Sequence, residues 1–190
     1  MFDMIMQNGW SLVPSVDSSR LLRAWQTATI LAEGLARLCN ISLPVESHDA
    51  LAERCVGSLA NLTTVQIEAI LRDDPRVSDP PVDWKADSHY CLPLQGAESL
   101  MQAGERVAAH VSQAMSALPA DERDRVKVFV GHGAAFRHAA FHLGVLELEQ
   151  LRQLSMFHCR PVLIECLGDG QWQHVGGDWK VRPMSGRFGD

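Results

Sequence analysis

The chain has 190 residues and a mass of 21.0 kDa, and its 46% hydrophobic and 21% charged residues exclude disordered, collagen-like and coiled-coil proteins. No apolar run reaches the roughly 20 residues that a membrane helix needs. The 17 basic and 23 acidic residues give a net charge of -6, whereas nucleic-acid-binding proteins usually carry a basic surface, so we expect no nucleic-acid partner and no membrane partner.

The cysteine pattern and the N-terminal residues indicate the cellular compartment in which the protein is expected. The five cysteines are widely spaced without a C-x-x-C pair, so neither a zinc ribbon nor a thioredoxin-like site is indicated. A chain of this length can bury a sufficient core without disulfides, and free thiols are typical of a reducing compartment. Residues 1–8 have no basic segment and no long apolar segment, so they are unlike a secretory signal. We therefore expect a cytoplasmic protein.

In the N-terminal half, the sequence predicts a short strand over residues 10–16 that breaks or ends near Pro14, followed by a strong amphipathic helix over 20–38. The polar residues at 17–19 can cap the start of that helix. A brief extended segment is expected at 44–45.

A second helix is predicted to end near Arg72, with Thr63 or Thr64 as its cap and Glu68 in its first turns. Residues 73–93 follow as an irregular excursion that contains four prolines. Long irregular segments in compact domains are often functional, so this one is a candidate for substrate selection.

The C-terminal half continues the alternation of strands and helices. The predicted elements are a helix over 97–118, a strand over 126–130, a turn at 131–133, a helix over 134–143, a buried strand over 160–166, a turn at 168–170 and a hairpin partner over 171–175. This alternation favours one α/β domain, residues 1–190, around a mostly parallel sheet, in which ligands bind at the carboxyl ends of the strands.

His132 lies between Gly131 and Gly133 at such a strand end. Glycines allow a ligand to approach the backbone closely, and the N-terminus of the following helix favours an anion. Histidine there can bind phosphate or act as an acid or base. The same pattern is compatible with a packing histidine in a tight turn, so the motif alone leaves both readings open.

Two further residues are candidates for the same site. Arg23 opens a helix after a strand, where its guanidinium could grip phosphate oxygens, although an arginine in this position is often simply a solvated surface residue. Glu53 precedes a glycine-bearing turn and could donate a proton to a leaving alkoxide if it lies near His132.

Four motifs occur in a recognisable order: S-S-x-L-x-R-A-x-Q-T-A, L-x-E-x-x-x-G, G-x-E-S and V-x-V-F-V-G-H-G. Together they resemble the histidine phosphatase superfamily, the phosphoglycerate-mutase-like fold, from about residue 10 to residue 166. Glu98 and Arg106 fit that family's long helix. The resemblance implies a three-layer αβα domain.

The resemblance also implies phosphomonoester hydrolysis through a phosphohistidine, in two steps. Arg23, His132 and Ser18 would bind phosphate. Glu53 and His132 would form the catalytic set, with Glu53 donating a proton in the first step and accepting one in the second. The chemistry requires no metal and no cofactor. We expect a small phosphorylated substrate or a phosphoprotein as partner, and we favour a phosphatase over a mutase. Homodimer formation is left open.

The family's nucleophilic histidine lies in an L-x-R-H-G segment on a strand that precedes the strand at 10–16, and this sequence has only nine residues there. We therefore expect the first strand and helix to be absent and the chain as written to be inactive. Truncation, natural loss of catalysis and completion by a partner chain are the competing explanations, and truncation is favoured because a lost core strand would leave an unpaired edge. The alternative function is a non-catalytic module that binds a phospho-ligand or a protein.

Three other combinations of residues give weaker indications of a functional site. His138 and His142 have a zinc-compatible spacing but no obvious third ligand, so a packed or surface helix face is preferred. Arg137 and His138 lack the glycine and the preceding strand of a displaced nucleophile motif. Neighbouring His158 and Cys159 would point in different directions on a strand, which argues against a nucleophilic pair.

The remaining polar and aromatic groups lie in the excursion and the C-terminal tail. The excursion residues could cover a phosphate pocket or form an ordered surface loop, and both readings stay open: Trp84, Lys85, His89 and Tyr90. The tail residues are expected to dock the tail or a partner chain: Trp172, Trp179 and Lys180.

Overall fold

Three parallel strands form the central sheet of the computed structural model, which describes residues 1–119 and 124–183. These strands are β1 (Ser11–Ser19), β2 (Val45–His48) and β3 (Arg125–Val130), in the order β2-β1-β3. Both edges of β1 are hydrogen-bonded, so the described sheet has no gap beside this strand. The predicted parallel sheet is confirmed, whereas the absence of a first strand and helix stays a prediction.

Helices cover both faces of this sheet. On one face, α1 (Phe2–Asn8) and α2 (Leu22–Cys39) pack on β1 and β3 through a buried cluster: Ile5, Val16, Ala28, Ala32, Leu35, Leu43 and Val128. On the other face, α4 (Leu100–Ser116) and α5 (Gly133–His142) form a second cluster: Leu51, Ala103, Val107, Ala108, Val111, Ala135 and Ala139. The three-layer αβα architecture is therefore confirmed, and it places the loops after β1 and β3 at one edge.

The helix α3 (Thr64–Asp73) begins with a capping box in which Thr63 and Gln66 exchange hydrogen bonds. Ser99 and Gln102 form the same arrangement at the start of α4. Residues 74–99 contain no helix or strand, yet they are anchored by a third buried cluster with α3: Ile67, Leu71, Trp84 and Leu92. The predicted excursion is thus a packed segment.

The N-terminal part of the chain differs from the sequence expectation at three points. Residues 2–8 form α1, although no helix was predicted there. Pro14 does not end the strand but lies where the register between β1 and β3 shifts, which is where a residue without an N–H is tolerated. Ser18 and Ser19 belong to β1 rather than to a helix cap, and α2 starts two residues later than predicted, with Leu21 as its N-cap residue.

A buried strand is predicted over residues 160–166, and the prediction that this strand is buried is wrong. The structure has β5 (Leu163–Gly168) paired antiparallel with β6 (Gln171–Gly176), and most of both strands is exposed. The tight turn through Asp169 lets the two strands satisfy each other's backbone groups locally, so β5 does not join the central sheet.

The predicted hairpin is confirmed, and the tail beyond it is docked. A separate pair joins β4 (Leu154–Met156), which follows α6 (Gln150–Gln153), to β7 (Trp179–Val181). Trp172 packs against the α4–α5 cluster, and Trp179 packs against a smaller cluster around Leu146 and Leu151. Within residues 1–119 and 124–183, no helix is long and apolar enough to span a membrane.

Gly104 marks the closest approach of α4 to α5. A Cβ placed at Gly104 would lie 2.6 Å from the carbonyl carbon of His138, far inside van der Waals contact. We predict that Gly104→Ala lowers the free energy of unfolding by about 1–3 kcal/mol through overpacking. Chemical denaturation measures the change. Gly34→Ala in α2 is the matched control, because its added Cβ meets nothing within 4 Å, and it should instead stabilise by about 0.5–1 kcal/mol through helix propensity. Equal effects of the two substitutions would contradict the assigned contact.

Candidate functional site

Three of the predicted site residues come together at the carboxyl ends of β1 and β3. Arg23 lies in the first turn of α2, and Glu53 lies in the loop after the short 3-10 helix Asp49–Leu51 that follows β2. His132 follows β3 after one residue, Gly131, and is the N-cap residue of α5. Parallel pairing of the strands brings these three chain segments to one edge, as the strand-turn-helix pattern predicts.

The distances define one polar cluster. Arg23 Nη2 lies 3.0 Å from His132 Nδ1 and 3.8 Å from Glu53 Oε2. Glu53 Oε2 is also 3.7 Å from His132 Nδ1. The side chain of His132 is 3% exposed, that of Glu53 35% and that of Arg23 65%, so solvent reaches the cluster from the Arg23 side.

His132 is held by both of its ring nitrogens. Nε2 lies 2.9 Å from the Ser19 hydroxyl oxygen, and Nδ1 faces the Arg23 guanidinium, which can only donate. The hydrogen-bond pattern therefore assigns Nδ1 as the acceptor and Nε2–H as the donor. Ser19 Oγ also accepts from the N–H of Leu21, so the serine links the end of β1 to the start of α2.

The surroundings of His132 favour the neutral imidazole. Burial, together with the positive charges of Arg23 and Arg106, lowers its pKa from 6.5 to about 4. Near pH 7 the ring therefore carries no charge in the absence of an anion. A phosphate dianion placed between Arg23 and His132 would oppose these effects and favour protonation of Nδ1.

Ser18 and Ser19 occupy different positions. Both are fully buried at the end of β1, but the Ser18 hydroxyl donates to the carbonyl of Ser19, whereas the Ser19 hydroxyl contacts His132. Phosphate binding by Ser18 stays a prediction. Sequence reasoning did not single out Ser19, although the alternation of side chains along a strand distinguishes the two serines once β1 is known to continue through residue 19.

The loop that carries Glu53 is clamped from α4. Arg106 forms a bidentate ion pair with Glu98, at 2.9 Å and 2.8 Å, and Glu98 Oε2 accepts the N–H of Cys55 at 3.0 Å. Arg106 Nη1 additionally donates to three carbonyls of the loop, at 3.2, 2.8 and 3.3 Å: Asp49, Ala50 and Ala52. The clamp therefore holds the backbone on both sides of Glu53.

The ion pair also fixes the charge of Glu98. Burial disfavours the carboxylate, but the hydrogen bonds from Arg106 and the Cys55 N–H outweigh it and lower the Glu98 pKa. Glu98 thus stays ionised, and Arg106 keeps its partner over the ordinary pH range. The sequence places Glu98 and Arg106 on the long helix but does not predict their contacts with residues 49–55, because those residues are far away in the chain.

Arg54 connects the site to the excursion. Its guanidinium lies 5.3 Å from the centre of the Trp84 ring, and burial lowers its pKa, while Glu53 and Cys91 act in the opposite direction. Trp84 is itself buried, and its Nε1–H donates to Glu68 at 2.9 Å. The excursion therefore packs against the residue that follows Glu53, and both of its predicted roles, as a cover over a phosphate pocket or as an ordered surface loop, stay predictions.

The other histidines considered in the sequence do not converge on a site. His138 is buried, with Nδ1 2.7 Å from the carbonyl of Ala134 and Nε2 3.0 Å from the Ser88 hydroxyl. His142 Nε2 instead contacts the carbonyl of Met101 at 3.0 Å. Arg137 is buried and donates to the carbonyl of Leu154. The preferred interpretation as a packed helix therefore accounts for these groups.

The chain belongs to the histidine phosphatase superfamily (branch 1), whose family model matches residues 7–177. This match covers most of the 190 residues and confirms the resemblance inferred from the four motifs. No curated protein matches the chain at a significant level.

Solved structures share the fold. A mycobacterial protein described as hydrolase 2 is 22% identical, with a TM-score of 0.61 over 96% of this chain and 76% of its own. A mycobacterial glucosyl-3-phosphoglycerate phosphatase complexed with VO3 is 22% identical, with a TM-score of 0.59 over 94% of this chain and 78% of its own. At this level of identity the likeness concerns the fold alone.

Because His132 and His138 both have pKa values lowered to about 4, the unfolded chain binds more protons than the folded chain between about pH 6.5 and pH 4. We predict that the free energy of unfolding falls as the pH is lowered through this range. His138→Gln should remove its share of the fall, about 2–3 kcal/mol, as measured by urea denaturation at pH 7, 6, 5 and 4. The exposed His89, changed to Gln, should leave the pH profile as in the wild type. An unchanged slope in His138→Gln would contradict the assigned protonation state.

Proposed function

We propose that this domain functions in the hydrolysis of phosphate monoesters, with Arg23 and His132 binding the phosphoryl oxygens and Glu53 transferring a proton. The observation that carries the proposal is the convergence of these three side chains within 4 Å at the edge of a parallel sheet. Family membership supports phosphoester hydrolysis as the general class of reaction.

The chemistry follows from the positions of the groups. Arg23 and a protonated His132 would neutralise charge on the equatorial oxygens of the transferring phosphoryl group, with the N-terminus of α5 pointing at the same place. Glu53 would give its proton to the leaving alkoxide, and would then accept one from the water that releases phosphate. The clamp of Arg106 and Glu98 would hold Glu53 in place through both steps.

The proposal includes a nucleophilic histidine that these 190 residues do not supply in the family's sequence context. The sequence contains no Arg-His-Gly, and Arg137 and His138 are engaged in helix packing. In the proposed two-step reaction, a histidine nitrogen attacks phosphorus as the alkoxide leaves, and water then cleaves the phosphohistidine. A further chain segment or a partner chain would supply that nitrogen.

The lack of an Arg-His-Gly favours one second candidate: a module that binds a phosphorylated ligand without turning it over. Arg23 and His132 would serve it equally well. In both cases the partner is a small phosphorylated molecule or a phosphoprotein. Cytoplasmic location belongs to the same proposal and is supported by the five free cysteines, Cys39, Cys55, Cys91, Cys159 and Cys166.

Both candidate functions predict a site whose affinity for an anion depends on the protonation of His132. We use sulfate as the probe because it remains a dianion between pH 5 and pH 8, so that only the protein changes its charge. Since a dianion favours the imidazolium form of His132, whose pKa is lowered to about 4 without an anion, sulfate affinity should rise as the pH falls, by up to about tenfold per pH unit. Isothermal titration calorimetry at pH 5, 6, 7 and 8 measures the sulfate affinity.

Arg23→Ala and His132→Ala should each abolish the pH-dependent sulfate binding. Arg37→Ala, in the last turn of the same helix, removes an equal charge far along α2 and should leave it intact. Sulfate binding that is independent of pH, or that survives both site substitutions, would place the anion elsewhere.

Hydrolysis of p-nitrophenyl phosphate separates the two candidates. We expect the chain extended through an upstream in-frame L-x-R-H-G segment to hydrolyse it, and His132→Ala in that protein to lose about 10²–10³-fold in kcat, as for loss of one charge-stabilising donor. Arg37→Ala should retain activity. An extended protein that binds sulfate but shows no hydrolysis would reject the enzyme and support the binding module.

A further inference from the structure

A second polar cluster lies under the sheet, away from Arg23 and Glu53. It consists of Asp17 on β1, His48 at the end of β2 and His110 on α4. His110 Nε2 lies 2.9 Å from Asp17 Oδ2, and His48 Nε2 lies 3.7 Å from the same oxygen. All three potential ligand atoms are within 4.8 Å of one another.

Among the described residues, two buried atoms of this cluster have no hydrogen-bond partner, His48 Nε2 and Asp17 Oδ1, but Asp17 Oδ1 has an ion-pair contact with Lys127. His48 Nε2 is buried, and across residues 1–119 and 124–183 it has no hydrogen-bond partner. Buried polar atoms in proteins are nearly always paired, so an orphan nitrogen indicates a role that direct hydrogen bonds do not fill. The rings of His48 and His110 are 4.4 Å apart, and both face the same carboxylate oxygen of Asp17. Imidazole nitrogen is the commonest metal ligand among protein side chains.

The two oxygens of Asp17 have different neighbours. Oδ1 lies 2.7 Å from the Lys127 ammonium, which is also buried and donates to the Ser15 hydroxyl at 3.0 Å. Oδ2 faces the two histidines. Lys127 thus holds one oxygen of the carboxylate in an ion pair and leaves Oδ2 to the two histidines, of which His110 is within hydrogen-bond distance. Outer partners hold metal-binding carboxylates in this way.

We propose that Asp17, His48 and His110 bind a divalent zinc-type metal ion. Zinc takes nitrogen and carboxylate ligands at about 2.0–2.1 Å, which separates tetrahedral ligand atoms by about 3.3 Å. The separations of 2.9 Å and 3.7 Å lie on either side of this value. Glu46 Oε2, at 3.9 Å from His48 Nε2, or a water molecule completes four-coordination from the exposed side.

The metal joins β1, β2 and α4 at one point. Asp17 is two residues before Ser19, whose hydroxyl contacts His132, so the ion stiffens the strand end on which the candidate phosphate site is built. The site does not depend on the proposed function, because neither Arg23 nor Glu53 nor His132 takes part in it. Binding to the folded chain alone raises the melting temperature by mass action.

The test uses the full chain freed of metal by a chelator and titrated with Zn²⁺ alone. We expect one equivalent to bind, with a rise in melting temperature, and Co²⁺ to give the visible absorption of a tetrahedral centre. His48→Gln should weaken Zn²⁺ binding at least about tenfold, because loss of even an outer-shell partner costs 10–100-fold. His89→Gln, an exposed histidine, and His132→Gln, in the other cluster, should not change it.

His48→Gln is the deciding variant because His48 is partly exposed and glutamine keeps a polar side chain, so folding is retained, as circular dichroism checks. Asp17→Asn supplies a second, nearly isosteric comparison. No saturable binding to the wild type would overturn the proposal. Binding that is unchanged in His48→Gln, or that is lost in His132→Gln alone, would overturn it as well.

Discussion

The parallel pairing of β1 with β2 and β3 is the constraint on which the rest of the structure depends. Because parallel strands end at the same edge, Ser19, the loop with Glu53 and His132 are brought together although they are far apart in the chain. The first turn of α2 then adds Arg23 above them. Burial of this edge withholds water from His132 and, with the charges of Arg23 and Arg106, lowers the pKa of the ring to about 4.

Much of this could be predicted because the informative residues are tied to strand ends. A histidine between glycines after an apolar strand, and an arginine in the first turn after another, can be placed at one edge without knowledge of the tertiary structure. The helix bounds follow from apolar periodicity, and α2 and α5 differ from expectation by two residues or fewer. Family membership confirms the motif reading of the chain.

The rest depends on contacts that no local pattern encodes. The faces of Ser18 and Ser19 could not be assigned while the strand was expected to end at residue 16, since alternation has meaning only inside a strand. The clamp of Arg106 joins residues more than 50 positions apart. The exposure of β5 arises because a tight turn gives it a local partner, and an apolar run looks the same in either environment.

The contact at Gly104 has a consequence for how the site can adapt. The helix α4 carries Arg106, which holds the Glu53 loop, and α5 begins at His132, so the separation of loop and histidine is set where the two helices touch. At Gly104 that contact is made without a side chain, and it therefore has no rotamers through which to relax. The α4–α5 side of the His132 cluster is therefore fixed by contact with backbone, whereas the side of the cluster that solvent reaches is bounded by Arg23, a long side chain that is 65% exposed.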